Sequence, residues 1–387
     1  MRPLIVDLGK EFRGGQHQAL LLLRGLSRCG HSPVLIALRD SQLARRAKAA
    51  GISVNEIAPG FRRLSAALNI RGMVGGKRVE LIHANEPHAL SAAWLARSYR
   101  SVPLIVSRRI ALPLGASSIS RARYRAAARI VAVSRFVAKS LTDSGIPSEK
   151  IEVIYDGVEI PPETFRADRE VARTRFGIPQ DSFCIGNVAA LVPEKGHALL
   201  LHAFAELQKR LRRARQAPLH ERSQAHSQER SQEKTPACAL ILRGEGPEKS
   251  PVQKLARELQ IQKDVHFVPP DTDLANMFSA MDLFAFPSHA EPLGSALLAA
   301  MAHGVPCVAL ASGGVPEIIE DSETGLLVHS LDPAAFAAGL SRLQTDLEYA
   351  REIGIAARKA VAARFSADHM VDATLKLYGE VMGTGER

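Results

Sequence analysis

Lys195 and Gly196 stand directly before a helical pattern, which offers a diphosphate a point charge and the positive end of a helix together. A solvent lysine in a turn would read the same way. Further along, in DLFAFPSHAEPLGSALLAAMAHGVPCVALASGGVPEIIEDSETGLLV, Glu291 occupies a strand-to-helix loop and Gly294, Ser295 and Ala296 open the helix with backbone donors. Gly313, Gly314 and Pro316 form a second turn there. A carboxylate beside helix-start amides suits the polar atoms of a hydroxyl-rich sugar bearing a diphosphate. RGEGPEK places Gly244, Glu245, Gly246 and Pro247 in a sharp turn between strand and helix, able to approach a nucleotide. That turn lacks the full G-x-G-x-x-G fingerprint, and GNVAALVPEKG lacks both the fingerprint and a G-K-[ST] ending, so dehydrogenase and ATPase readings fall.

The first half has weaker candidates of the same kind. Gly14 and Gly15 follow LIVDL and precede a helix, so their loop can bring backbone N–H groups and a helix N-terminus to an anion, or can simply be a tight turn. His83 ends VELIHA, as a general base, a polar ligand contact or a structural histidine. Arg108 and Arg109 end PLIVS, where guanidinium groups can hold phosphate or form a basic surface turn. Ser134 reads as a helix cap after RIVAV, with Arg135 beside it facing either a ligand or solvent.

The elements that position these residues follow a repeated rhythm. LIVDL, PVLIAL, VELIHA, PLIVS, RIVAVS and IEVIY alternate with helical patterns, the βαβ signature of a parallel sheet covered by helices. GVEIPPETFRADRE interrupts it, and the rhythm restarts at FCIGNVA. Open parallel sheets bind ligands beyond the carboxyl ends of their strands, where every candidate above sits. The expected organisation is an α/β chain with an N-terminal domain over 1–165, a linker over 166–181 and a second domain over 182–365. A polar insertion at 212–236 has almost no large apolar side chains, and a helix over 366–387 can pack back on the first domain.

With 387 residues, 46% of them hydrophobic, the chain has material for two ordinary cores. Its net charge of +10 points to an anionic partner. Zinc-ligand spacing and an RNA-recognition aromatic pattern are absent, and 5% aromatic residues leave little for base stacking, which weighs against a nucleic-acid module. Cys29, Cys184, Cys238 and Cys307 lie far apart and suggest no disulfide framework. Neither a leader-type segment nor an apolar stretch of spanning length is evident, so a cytoplasmic protein is expected, with any membrane contact peripheral.

At the stretch from Ser288 to Val328, supported by Gly14-Gly15, Val188 to Gly196 and Gly244 to Pro247, the chain resembles the retaining, nucleotide-sugar-dependent glycosyltransferases of family four over nearly its whole length. The resemblance implies a GT-B fold, two Rossmann-like domains with parallel sheets facing a central cleft, acceptor bound by the first and donor by the second, with no obligatory metal or cofactor. It implies that Lys195 binds donor phosphate, Glu291 contacts the transferred sugar, and amides of Gly294, Ser295 and Ala296 meet sugar or diphosphate. Gly14-Gly15 would close on that diphosphate. A separate hypothesis, tied to the departures below, has Arg108 or Arg109 replace some of the missing phosphate charge from the acceptor side. Acceptors implied are a glycan or lipid-linked saccharide of cell-envelope or lipopolysaccharide synthesis, at the cytosolic face of the inner membrane.

Three positions depart from the family pattern. The second glutamate of Glu-x7-Glu is Ala299, the arginine five residues before the phosphate-binding lysine is Ala190, and the strand end that often carries a histidine reads Ser107-Arg108-Arg109. An active enzyme with altered nucleotide contacts and a sugar-nucleotide-binding homologue without turnover both accommodate them.

Overall fold

The computed structural model describes residues 1–115, 118–162, 168–216 and 237–383. They form two compact units, one of residues 1–159 with 363–387 and the other of residues 160–362. Residues 217–236 of the polar insertion lie outside the described residues, whereas its start, 212–216, continues the helix His197–Gln216.

The first unit is built on strands β1 (Pro3–Val6), β2 (Val34–Leu38), β3 (Ser53–Ile57), β4 (Leu81–Ala84), β5 (Leu104–Arg108), β6 (Arg129–Ala132) and β7 (Ile151–Val153). All pair in parallel, in the order β3-β2-β1-β4-β5-β6-β7. Chain order therefore reverses between β1 and β4, the crevice where such sheets receive ligands. Helix starts are fixed by local chemistry. Glu86 caps Pro87–Ala96 by accepting from the His88 and Ala89 amides, with Pro87 at the first helical position, and Ser134 caps Arg135–Asp143 through the Val137 amide.

The last helix, Ala367–Met382, belongs to this first unit and completes its core. Ser366 caps it, Val371 packs where a Cβ on Gly25 would come within 2.3 Å, and the Tyr378 hydroxyl lies 2.6 Å from Nδ1 of His83.

The second unit carries β8 (Phe183–Val188), β9 (Cys238–Arg243), β10 (Val265–Val268), β11 (Leu283–Phe286), β12 (Cys307–Leu310) and β13 (Leu326–Val328), again all parallel. Their order is β10-β9-β8-β11-β12-β13, with the reversal between β8 and β11. Strands buried on both faces explain the continuous apolar runs that mark them in the sequence.

The expected linker over 166–181 is corrected by a helix, Arg169–Phe176, capped by Asp168 and ended by left-handed Gly177. Its polar composition hides two inward residues, Ala172 and Arg173. Arg173 is 1% exposed and donates to the carbonyls of Ala280 and Ser182 and to the Asp282 carboxylate, so the segment is part of the second unit.

Candidate functional site

In the second unit, four loops converge at the carboxyl ends of β8, β9, β11 and β12. They meet backbone to backbone. A Cβ on Gly244 would lie 1.8 Å from the Ala189 carbonyl oxygen, one on Gly246 would lie 2.2 Å from that of Leu191, and one on Gly313 would lie 2.0 Å from that of Glu291. Leu191 donates its amide to Glu245 O, and Gly314 donates its amide to Glu291 O. The glycine turns seen in the sequence are therefore the contact points that lock the loops together.

Across the β8–β11 boundary a Cβ on Gly196 would lie 2.2 Å from the Pro287 carbonyl oxygen and the His289 amide donates to Glu194 O, and there Lys195 and Glu291 come into contact. Nζ of Lys195 is 2.6 Å from Oε2 of Glu291, and the two side chains retain 23% and 10% exposure. The Ser288 hydroxyl donates to the same carboxylate oxygen at 2.7 Å. Lys195 follows β8 and Glu291 follows β11, so the pair spans the reversal of strand order. An ammonium and a carboxylate held there at a partly open edge can divide a polar ligand between them, the cation taking phosphate oxygen and the anion accepting from hydroxyls.

Gly294 caps the helix Ser295–Ala302 with φ 121°, and exposed Ser295 and half-buried Ala296 open it. Next to Lys195, the buried imidazole of His197 has no hydrogen-bond partner on either nitrogen among the described residues. Burial, then the nearby Lys195 charge, lowers its pKa to about 4, so the lysine keeps a neutral neighbour.

The reversal in the first unit is bridged by a polar chain that sequence reading did not assemble. Buried Asp7, one residue past β1, accepts from Asn85 Nδ2 at 2.7 Å, from the Gly9 amide and from Gln16 Nε2. Asn85, past β4, also donates to Gly15 O. Its Oδ1 accepts from Arg109 Nη1 at 2.7 Å, and Arg109 Nε donates to Asp156 Oδ1 at 2.8 Å. Asp7, Asn85, Arg109 and Asp156 thus link the ends of β1, β4, β5 and β7. The legible signal was short amide and carboxylate side chains immediately after apolar runs. Gly14 and Gly15 open the helix Gly14–Arg28 beside this chain.

Two first-unit expectations narrow, and the Ser134 cap is found. Arg108 is 6% exposed, donates to the Tyr124 hydroxyl at 3.0 Å and to Leu112 O, and so is held inside the unit rather than offered to phosphate. His83 is 3% exposed between Tyr378 and the Ser107 hydroxyl, 2.8 Å from its Nε2. Both ring nitrogens are thus engaged, and desolvation, aided by the Arg109 charge, lowers its pKa to about 3, so this histidine is neutral and held inside the unit. Ser134 is the helix cap, fully buried, with Arg135 exposed beside it. Among the described residues no cluster of His, Cys, Asp or Glu is arranged to hold a metal ion.

Comparison with known proteins follows the same division of the chain. A family model described as Glycosyl transferases group 1 matches residues 168–360, and one described as Glycosyltransferase Family 4 matches residues 12–160. A D-inositol 3-phosphate glycosyltransferase of Salinispora arenicola is 30% identical over 331 residues, covering 78% of this chain and 69% of that protein. Its counterpart in Salinispora tropica is 29% identical, and this chain spans 64% of its length. Among solved structures, a glycosyltransferase from Rickettsia africae superposes with a TM-score of 0.83 at 20% identity over 98% of both chains. HepE of Anabaena, in complex with UDP-glucose, superposes at 0.80 and 20% identity over 99% of this chain and 100% of that one.

Proposed function

Because the chain belongs to the GT-B glycosyltransferases and is a nucleotide-sugar-dependent enzyme, we propose that it is a retaining transferase whose second unit binds the donor through Lys195 and Glu291. The observation that carries this reading is the 2.6 Å pair across the β8–β11 reversal. Donor phosphate would replace the carboxylate as the partner of Lys195. Glu291, kept in place by Ser288 and by the backbone contacts of Gly313 and Gly314, would then accept from hydroxyls of the transferred sugar. Amides of Gly294, Ser295 and Ala296 are the further donors for sugar or diphosphate.

In the proposed reaction the acceptor hydroxyl attacks C1 of the sugar on the face the diphosphate leaves. The C1–O bond to phosphate breaks, and the hydroxyl proton passes to the departing phosphate oxygen. Lys195 and the helix-start dipoles stabilise the negative charge that develops there. In the first unit, Arg109 and Asn85 would bind acceptor. UDP-glucose in HepE and the lipopolysaccharide outer core galactosyltransferase WaaB, similar at a TM-score of 0.67, support a hexose donor and a cell-envelope glycan or lipid-linked acceptor.

Ala190 and Ala299 favour a second reading, a homologue that binds sugar nucleotide without turnover. Incubating the protein with a panel of nucleotide sugars and native cell-envelope acceptors, followed by mass analysis, separates them. A product heavier by one sugar with the α-anomeric configuration retained supports the transferase. Thermal stabilisation by a nucleoside diphosphate with no product from any donor supports the second reading.

A further inference from the structure

The helix Arg62–Gly75 buries Ala66, Ala67, Ile70 and Met73 and turns its opposite face to solvent. On that face Phe61, Leu64 and Leu68 are 89%, 58% and 64% exposed, and their spacing of three and four residues sets them in one line. Exposed leucines singly would need no explanation, but an aligned aromatic and two leucines form an uncovered stripe. Phe61 adds a second cost. It stands at the helix start with φ 42°, a left-handed conformation that bulky side chains rarely adopt.

Charge identifies the partner. From Ala58 to Val79 the chain has five cations, Arg62, Arg63, Arg71, Lys77 and Arg78, and no carboxylate. Among the described residues none of the five belongs to an ion pair. The flanking acids are already engaged, Glu56 by Lys48 and Glu80 by the Arg2 amide. A second copy docked about a two-fold axis would set this cationic face against itself. Nucleic acid would answer the charge and leave Phe61, Leu64 and Leu68 against phosphate.

We propose that the stripe from Phe61 to Arg71, with Lys77 and Arg78, is the surface by which the first unit lies on an anionic lipid membrane. The apolar side chains enter the acyl boundary and the cations meet headgroup phosphates. Arg62 ties this surface to the first-unit site, since its Nη1 donates at 2.9 Å to Leu8 O, next to Asp7. The inference deepens the lipid-linked-acceptor reading and rests on it for its purpose, though the binding itself requires no turnover.

The test is sedimentation of the full chain with vesicles of phosphatidylcholine, alone or mixed with phosphatidylglycerol, at low and high salt. Binding to the mixed vesicles only, weakened by salt, is expected. Arg71→Gln with Lys77→Gln should weaken it about thirtyfold, from roughly 1 kcal/mol per cation at an anionic surface. Leu64→Ser with Leu68→Ser should weaken it at least about tenfold, with the melting temperature and its response to nucleoside diphosphate unchanged. The proposal is overturned if the mixed vesicles are not bound at low salt, or if both pairs bind like the parent. Loss of a concentration-dependent dimer in the Leu pair, without vesicle binding by the parent, would assign the stripe to self-association. Failure of the transferase reading registers separately, as absence of product from every donor.

Discussion

Lys195 and Glu291 are 96 residues apart in the chain, follow strands on opposite sides of a reversal in strand order, and meet at 2.6 Å. Neither residue alone distinguishes a ligand site from a surface turn. Their loops are joined directly, since a Cβ on Gly196 would lie 2.2 Å from the Pro287 carbonyl oxygen and the His289 amide donates to Glu194 O.

Removal of each partner should have a different signature. Lys195→Ala should abolish thermal stabilisation by nucleoside diphosphate and lower turnover by about a hundredfold or more, as loss of a charge-stabilising donor does. Glu291→Ala should retain the nucleoside diphosphate response and lose sugar transfer. Melting curves with and without ligand, beside product assays, check both. Unchanged transfer by Glu291→Ala would remove that carboxylate from the site.

Arg109 is predicted to be needed for stability as well as for acceptor binding. It pairs with Asp156, and the two side chains are only 18% and 11% exposed. Arg109→Ala would leave that carboxylate buried without its cation, at a cost of about 3 kcal/mol. Urea unfolding should show Arg109→Lys between the two, since lysine restores charge but not the simultaneous contacts to Asp156 and Asn85. An Arg109–Asp156 double-mutant cycle should show coupling well above that of exposed pairs such as Lys139–Asp143.

Acid should destabilise the first unit through His83. Its folded pKa, about 3, lies below the unfolded value, so the unfolded chain binds the extra proton between them and stability falls as pH drops below about 6.5. From pH 6.5 to 5 this amounts to roughly 2 kcal/mol. Urea midpoints across that range should fall for the parent, and His83→Gln should reduce the slope by about one proton. An equal slope in both proteins would contradict the assignment.

Close packing of the last helix gives a steric prediction. Gly25→Ala would place its Cβ 2.3 Å from Val371 and should destabilise by about 1–3 kcal/mol. Val371→Ala in the same chain should recover part of that loss, because it removes the two methyl groups that obstruct the new one. Melting temperatures of the two single variants and the double variant measure the coupling.

How much of this was legible in the sequence differs between the units. Strand-to-helix rhythm located every loop of the second-unit site, because strands buried on both faces leave uninterrupted apolar runs and glycine turns mark the loop junctions. Lys195 and Glu291 could be named, but their contact depends on β8 and β11 being neighbours, which strand order decides and local pattern does not. The first unit was less readable for a related reason. Asp7, Asn85 and Asp156 are each ordinary turn residues, and only the parallel register unites them. Arg108 and Arg109 alternate across a strand end, so one points inward to Tyr124 and the other to Asp156, a choice invisible to composition. The helix Arg169–Phe176 escaped notice because its buried face is only Ala172 and the guanidinium of Arg173, and a charged residue rarely marks a buried face.

The helix Ala367–Met382 closes the core of the unit that begins at residue 1. During synthesis this reverses the usual order, in which amino-terminal domains finish first. Residues 160–362 are a contiguous stretch that can complete its own sheet while the ribosome is still translating. The leading 159 residues must wait, with Gly25 and His83 uncovered, until Val371 and Tyr378 have emerged. A chain halted by a premature stop codon after residue 362 would therefore carry a finished carboxyl-terminal unit and an amino-terminal unit with an open apolar wall, the form that quality-control chaperones and proteases retain.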